Sequence, residues 1–245
     1  MSLASHGPHD APPVLLLHGG GVAGWMWDSL KEHLQADYAV LIPDLPGHGR
    51  SADEPYVSHA ATVDELARVL VDAARGRRAT VVGFSLGAQL TIQLAAAHPD
   101  LVAQVIVVSA QAEPLPLTAL TLAMLGASAP LARKRWFAKL QARELFIPAH
   151  LMENYISTSA GITRATLLAA VGANLRFTLP EAWPAFPGRA LIMVGQRERR
   201  LMRDSAHAIH GALPGSELEI VDGCGHGIPL QRPAWFNDRV AELLR

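Results

Sequence analysis

Five residues, Gly83-Phe84-Ser85-Leu86-Gly87, stand between an apolar run, Ala79-Thr80-Val81-Val82, and a helix-like stretch from Ala88 to Ala97. A Gly-x-Ser-x-Gly run between a strand and a helix reads as a nucleophile elbow. So tight a turn holds its serine in a strained backbone conformation and pushes Oγ clear of the sheet. Side chains at the two flanking positions would collide with the neighbouring strand and helix, so glycine fits there. Alone, the pentapeptide is a moderate signal, because Gly and Ser are common. Its placement between strand and helix makes it a strong one.

The chain around the elbow alternates between strand and helix. Val14 to Leu17 is a short buried strand that runs into His18-Gly19-Gly20-Gly21. Trp25 to Gln35 has Trp27, Leu30 and Leu34 at helical spacing, and Tyr38 to Ile42 is a second strand. A Pro- and Gly-rich segment, Pro43 to Ser51, follows as a structured loop. Thr62-Val63-Asp64-Glu65 has capping-box form, which predicts a helix with Thr62 as N-cap running to about Ala74. After the elbow helix comes a buried strand, Val102 to Val108. Continuous apolar strands alternating with helices predict a parallel sheet covered on both faces.

From Gln111 to Pro187 the strand-like runs vanish. Apolar residues recur there at helical spacing, punctuated by Pro130, Pro148 and Gly161. This segment reads as a helical cap, residues 111–187, inserted into a core made of residues 1–110 and 188–245. Strand character returns at Ala190 to Val194 and at Leu218 to Val221, and a helix from about Trp235 to Leu244 closes the chain.

A length of 245 residues suits one large α/β domain, and a net charge of −1 gives no field that favours nucleic acid or an anionic membrane. The single cysteine, Cys224, excludes an internal disulfide. Met1 to Pro13 lacks the apolar core of a secretion signal, and no apolar run approaches the ~20 residues that span a bilayer. These features point to a cytoplasmic monomer or homodimer.

A serine hydroxyl needs a base to take its proton, and the base needs an acid to hold its tautomer. His226, in Gly223-Cys224-Gly225-His226-Gly227, lies just after the last strand. Glu198, in Val194-Gly195-Gln196-Arg197-Glu198, lies just after the strand before it. Groups beyond the carboxyl ends of neighbouring strands reach one shared crevice. The N–H of Leu86, at the start of the elbow helix, and that of Gly20, in the first glycine-rich loop, are the expected oxyanion-hole donors.

These motifs resemble the α/β-hydrolase fold superfamily, in its cap-bearing serine esterase and carbon–carbon hydrolase branch. The matching runs are Leu15 to Gly20, Asp44 to Ser51, the elbow, Val194 to Glu198 and Gly223 to His226. The resemblance implies a cofactor-independent hydrolase acting on small to medium carboxylic esters. It leaves open carbon–carbon, lactone or thioester cleavage with the same triad, or a low-turnover ligand-binding sensor. Serine at the elbow argues against haloalkane or epoxide hydrolysis, where the resembling families place Asp. Two features depart from the superfamily. Its usual acid is Asp, so Glu198 has a reserve in Glu113, with Asp204 and Asp222 as further possibilities. The N-terminus leaves little room for the usual antiparallel hairpin, so about six strands are expected.

The remaining motifs carry less. Arg197, Arg199, Arg200 and Arg203 read as a solvated face. His18 and His48 read as structural members of their loops. His207 and His210 lack a third partner at metal-ligand spacing. Cys224 reads as a packed small side chain, and Trp25, Met124 and Trp136 are expected to line the substrate pocket.

Overall fold

The computed structural model describes residues 1–129, 131 and 134–245. Pro130, one of the expected helix breakers, lies outside them. Seven strands form: β1 (Leu3–His6), β2 (Pro13–Leu17), β3 (Ala39–Pro43), β4 (Ala79–Phe84), β5 (Val102–Val108), β6 (Arg189–Gly195) and β7 (Glu217–Val221), and all but β1 contain the apolar runs of the sequence. They form one sheet in the order β1-β3-β2-β4-β5-β6-β7. Every pairing is parallel except that of β1 with β3.

The sheet therefore has one strand more than the six expected. Leu3–His6 pairs antiparallel with Val40–Pro43. The chain then reverses through Gly7, whose φ of +80° suits glycine. A single edge strand needs only four residues, and its free edge tolerates polar side chains.

Alternation within the strands divides the core into two layers. Leu15, Leu17, Val81, Val105, Val107 and Ile192 face one way and pack against α2 (His59–Ala73), α3 (Leu86–Ala97) and α8 (Arg200–Ala212). Val14, Leu16, Val82, Phe84, Ile106 and Leu191 face the other way, against α1 (Asp28–Leu34) and α10 (Pro233–Leu244). Successive residues of a strand point to opposite faces, so a run buried on both faces must be apolar throughout.

Helix α2 begins earlier than the capping-box motif predicts. Its N-cap is Ser58, whose hydroxyl accepts from the N–H of Ala61 at 3.1 Å. Thr62 lies a turn inside and donates to the Ser58 carbonyl at 2.9 Å. Both residues are good caps. Starting at Ser58 adds a turn that buries His59 between Tyr56 and Gln89.

Among the described residues, four α-helices lie between β5 and β6: α4 (Thr118–Ser128), α5 (Arg135–Glu144), α6 (Met152–Gly161) and α7 (Arg164–Leu175). Helix α5 packs on α6, and α4 on α7. The Thr163 hydroxyl caps α7 by accepting from the Thr166 N–H at 3.1 Å. A short helix, α9 (Ile228–Gln231), precedes α10. Among the described residues, no helix is long and apolar enough to cross a membrane.

Candidate active site

The chain winds from β2 to β3 on one side and from β4 through β7 on the other. Direction thus reverses between β2 and β4, the place where open parallel sheets form their ligand crevice. Ser85 follows β4 with φ +53° and ψ −112°, a conformation that L-residues rarely adopt. Its neighbours explain how the turn closes. A Cβ on Gly83 would sit 2.2 Å from Thr91 Oγ1, and one on Gly87 would sit 2.3 Å from the Leu17 carbonyl oxygen. Either contact would force the strand and helix apart.

Ser85 Oγ lies 3.0 Å from His226 Nε2, and His226 Nδ1 lies 2.8 Å from Glu198 Oε2. Three distant parts of the chain therefore meet beyond the carboxyl ends of β4, β6 and β7. The Glu198 side chain is 1% exposed and that of His226 28%. Glu198 Oε1 accepts from the Gly195 N–H at 2.9 Å and from the Ser109 hydroxyl at 2.7 Å. Burial by itself raises the Glu198 carboxyl pKa. The hydrogen bond and charge of His226, with the Gly195 and Ser109 donors, outweigh it and hold the group below the usual carboxylate range. The carboxylate is thus ionised at neutral pH and accepts from Nδ1–H, leaving Nε2 as the acceptor for the serine proton.

Two loops hold the acid and the histidine in register. The Arg197 N–H donates to the Cys224 carbonyl at 2.8 Å. A Cβ on Gly195 would lie 2.4 Å from the Gly225 carbonyl oxygen, so glycine permits this close pass. Cys224 is fully buried there, and burial pushes its thiol pKa up. The reserve acids stand elsewhere. Glu113 and Asp222 are solvent-exposed, and Asp204 pairs with Arg200 at 3.1 Å on the outer surface of α8.

Ser109 is a supporting residue that sequence reading missed. It follows β5 with φ +56°, and its hydroxyl braces the carboxylate from the strand next to the elbow. Its place at a strand's carboxyl end was the only available signal.

His18 organises the loop that carries Gly20. Its Nδ1 donates to the Gly19 carbonyl at 2.8 Å, and its Nε2 accepts from the Leu45 N–H at 2.9 Å. Both bonds require the neutral ring, and burial pushes its pKa down to about 3. A Cβ on Gly19 would lie 3.4 Å from Ser85 Cβ, and one on Gly20 would lie 3.9 Å from the Leu86 side chain. The glycine loop therefore passes directly beside the elbow. Leu86 is the first residue of α3, so its N–H has no intrahelical acceptor.

A cavity of about 730 Å³ opens over this ensemble. Ser85 and Gly20 lie at its sheet end, and Leu125, Phe137, Tyr155 and Leu167 of the four helices line it from the other side. The three expected pocket residues do not line it. Met124 and Trp136 are 66% and 62% exposed and point to solvent. Their sequence neighbours Leu125 and Phe137 face the cavity instead. Adjacent positions on a helix differ by about 100°, and apolar residues on both faces of α4 hid which one turns inward. Trp25 lines a separate recess, where its Nε1 donates to Thr158 Oγ1 at 3.0 Å. Among the described residues, no three His, Cys, Asp or Glu side chains cluster with metal-binding geometry.

A mostly parallel seven-stranded sheet with a serine on a strained strand-to-helix turn defines a hydrolase of α/β architecture. The chain belongs to the Alpha/beta hydrolase family, whose model matches residues 14–239. It is similar to an uncharacterised protein of Mycobacterium tuberculosis, 29% identical over 262 residues that cover 95% of this chain and 75% of the relative. A pimeloyl-[acyl-carrier protein] methyl ester esterase of Vibrio atlanticus is 36% identical over 104 residues, or 42% of this chain and 38% of the relative. Among solved structures, a thermophilic esterase from Thermogutta terrifontis superposes with a TM-score of 0.83. It is 23% identical, and the match covers 100% of this chain and 92% of that one.

Proposed function

We propose that this chain is a serine hydrolase that cleaves carboxylic esters of small to medium size through an acyl-enzyme. The observation that carries the reading is the continuous hydrogen-bonded line from Ser85 Oγ through His226 to a buried, ionised Glu198. Ser85 attacks the ester carbonyl while His226 Nε2 takes its proton. Glu198 steadies the imidazolium that forms. The N–H groups of Leu86 and Gly20 hold the oxyanion of the tetrahedral intermediate. His226 then protonates the leaving alcohol, the acyl group stays on Ser85, and a water activated by His226 releases the acid. The helices of residues 111–187 serve as a cap whose apolar side encloses the acyl chain, over a core of residues 1–110 and 188–245. The similarity to a methyl ester esterase, and the mostly apolar cavity, favour esters as substrates.

The test is turnover of p-nitrophenyl esters of increasing acyl length by wild type and Ser85→Ala. The variant should lose several orders of magnitude. Retention of more than about a tenth of wild-type turnover by a clean preparation would remove Ser85 as the nucleophile.

A further inference from the structure

The loop Asp44–Ser51 contributes one side chain to the cavity that the triad does not use. His48 is 2% exposed, and what it exposes faces the space that holds Ser85 and Gly20. Its Nδ1 lies 3.0 Å from the Pro46 carbonyl oxygen. A carbonyl only accepts, so Nδ1 carries the proton. Burial lowers the His48 pKa and keeps the ring neutral. Nε2 is therefore a lone-pair acceptor, on a ring that lines the cavity. Neutral imidazole, fixed tautomer and open acceptor follow one from another.

The loop holds this acceptor still. Asp44 accepts from the Gly24 N–H at 2.7 Å and from the Arg50 N–H at 2.9 Å. The Gly47 N–H donates to the Ser51 carbonyl at 2.9 Å. A Cβ on Gly47 would lie 2.2 Å from Thr166 Cγ2 of α7, so the loop is pinned beneath the helix that also lines the cavity. A second buried polar group shares the space. Tyr155 of α6 is 3% exposed and lines the cavity. A purely hydrocarbon substrate offers the His48 acceptor no donor.

Building on the esterase reading, we infer that His48 Nε2 selects substrates with a hydrogen-bond donor near the scissile ester, a hydroxyl or an amide N–H. An alkyl chain seated against Nε2 strips it of solvent and returns no bond, whereas a donor restores one. One such contact discriminates by about ten- to a hundredfold.

The experiment measures kcat/KM by pH-stat titration on methyl butyrate, the methyl esters of α- and β-hydroxybutyric acid, and N-acetylglycine methyl ester. Wild type, His48→Phe and His48→Gln are compared. In wild type at least one donor-bearing ester should exceed methyl butyrate by about tenfold or more. His48→Phe, which keeps a ring but no acceptor, should bring that ratio to within about twofold of one. His48→Gln, which keeps an acceptor, should preserve part of it. A wild-type ratio below about twofold for every donor-bearing ester overturns the inference without any variant, should His48→Phe fail to fold. A ratio that survives in His48→Phe overturns it as well. Hydrolysis abolished by Ser85→Ala but lacking the preference removes only the His48 role. Absence of hydrolysis of every ester removes the esterase reading beneath it.

Discussion

Glu198→Gln is the most informative single change, because the hydrogen bonds around the carboxylate dictate how an amide must sit. Oε1 takes two donors, the Gly195 N–H at 2.9 Å and the Ser109 hydroxyl at 2.7 Å. The backbone N–H cannot become an acceptor, so the amide oxygen of glutamine must occupy that place. The amide NH₂ then falls at the position of Oε2, 2.8 Å from His226 Nδ1. An NH₂ cannot accept, so Nδ1 must give up its proton and accept instead. The proton moves to Nε2, the atom that should receive one from Ser85 Oγ at 3.0 Å. The fold is kept and the tautomer is inverted. The corresponding change in a Ser-His-Asp protease costs about 10⁴ in kcat, and ~10³–10⁴ is expected here, or about 4–5.5 kcal/mol of transition-state stabilisation. The assay is kcat/KM on a p-nitrophenyl ester, with thermal unfolding measured on the same samples. Glu113→Gln, which alters an exposed carboxylate, is the comparison and should change the rate by less than about twofold. A loss under about tenfold in Glu198→Gln, or a larger loss in Glu113→Gln, refutes the assignment of the acid.

Other predictions concern the scaffold. Gly87→Ala places a Cβ 2.3 Å from the Leu17 carbonyl oxygen. It should cost about 1–3 kcal/mol and lower Tm by roughly 2–12 °C; an unchanged Tm would mean that the elbow does not need the close pass. Ser109→Ala removes a charge-assisted donor to Glu198, so it should raise the Glu198 pKa and shift the acid limb of the kcat/KM profile upward, while an unmoved limb would deny Ser109 that role. Stability should fall on acidification. His18, His48 and His59 have folded pKa values lowered by burial, whereas unfolded histidines take up protons near pH 6.5. Their contribution is therefore full above about pH 6.5 and is lost as pH falls toward the folded values, at up to roughly 1.4 kcal/mol per pH unit for each histidine. Glu198, also lowered, adds to the loss as pH falls through the carboxylate range. Urea midpoints at pH 7 and pH 5 check this, and equal midpoints would contradict it.

The sheet core and the three side chains that meet at the elbow could be read in the sequence because local rules set both. Strands buried on two faces must be apolar throughout, and an elbow needs glycines at fixed offsets. Glu198 was legible by its place after β6, but its rivals fall away only when Ser109 and the Gly195 N–H are seen to converge on it. The pocket was hidden. Helix α4 carries apolar residues on both faces, so Met124 and Leu125 look alike until packing assigns one to solvent and the other to the cavity. His48 looked structural because its loop motif explains its backbone. Only the Pro46 bond reveals which ring nitrogen remains open. The edge strand β1 escaped because its pairing with β3 depends on the turn at Gly7 rather than on any apolar run.

The central claim is that the Ser85 hydroxyl is activated by its neighbours rather than merely placed beside them. Reaction with a fluorophosphonate, followed by mass spectrometry of the labelled peptide, tests this directly. Stoichiometric modification of Ser85, abolished in Ser85→Ala and strongly slowed in Glu198→Gln, is the predicted result. An unlabelled Ser85 in folded protein, or a labelling rate indifferent to position 198, would contradict the account.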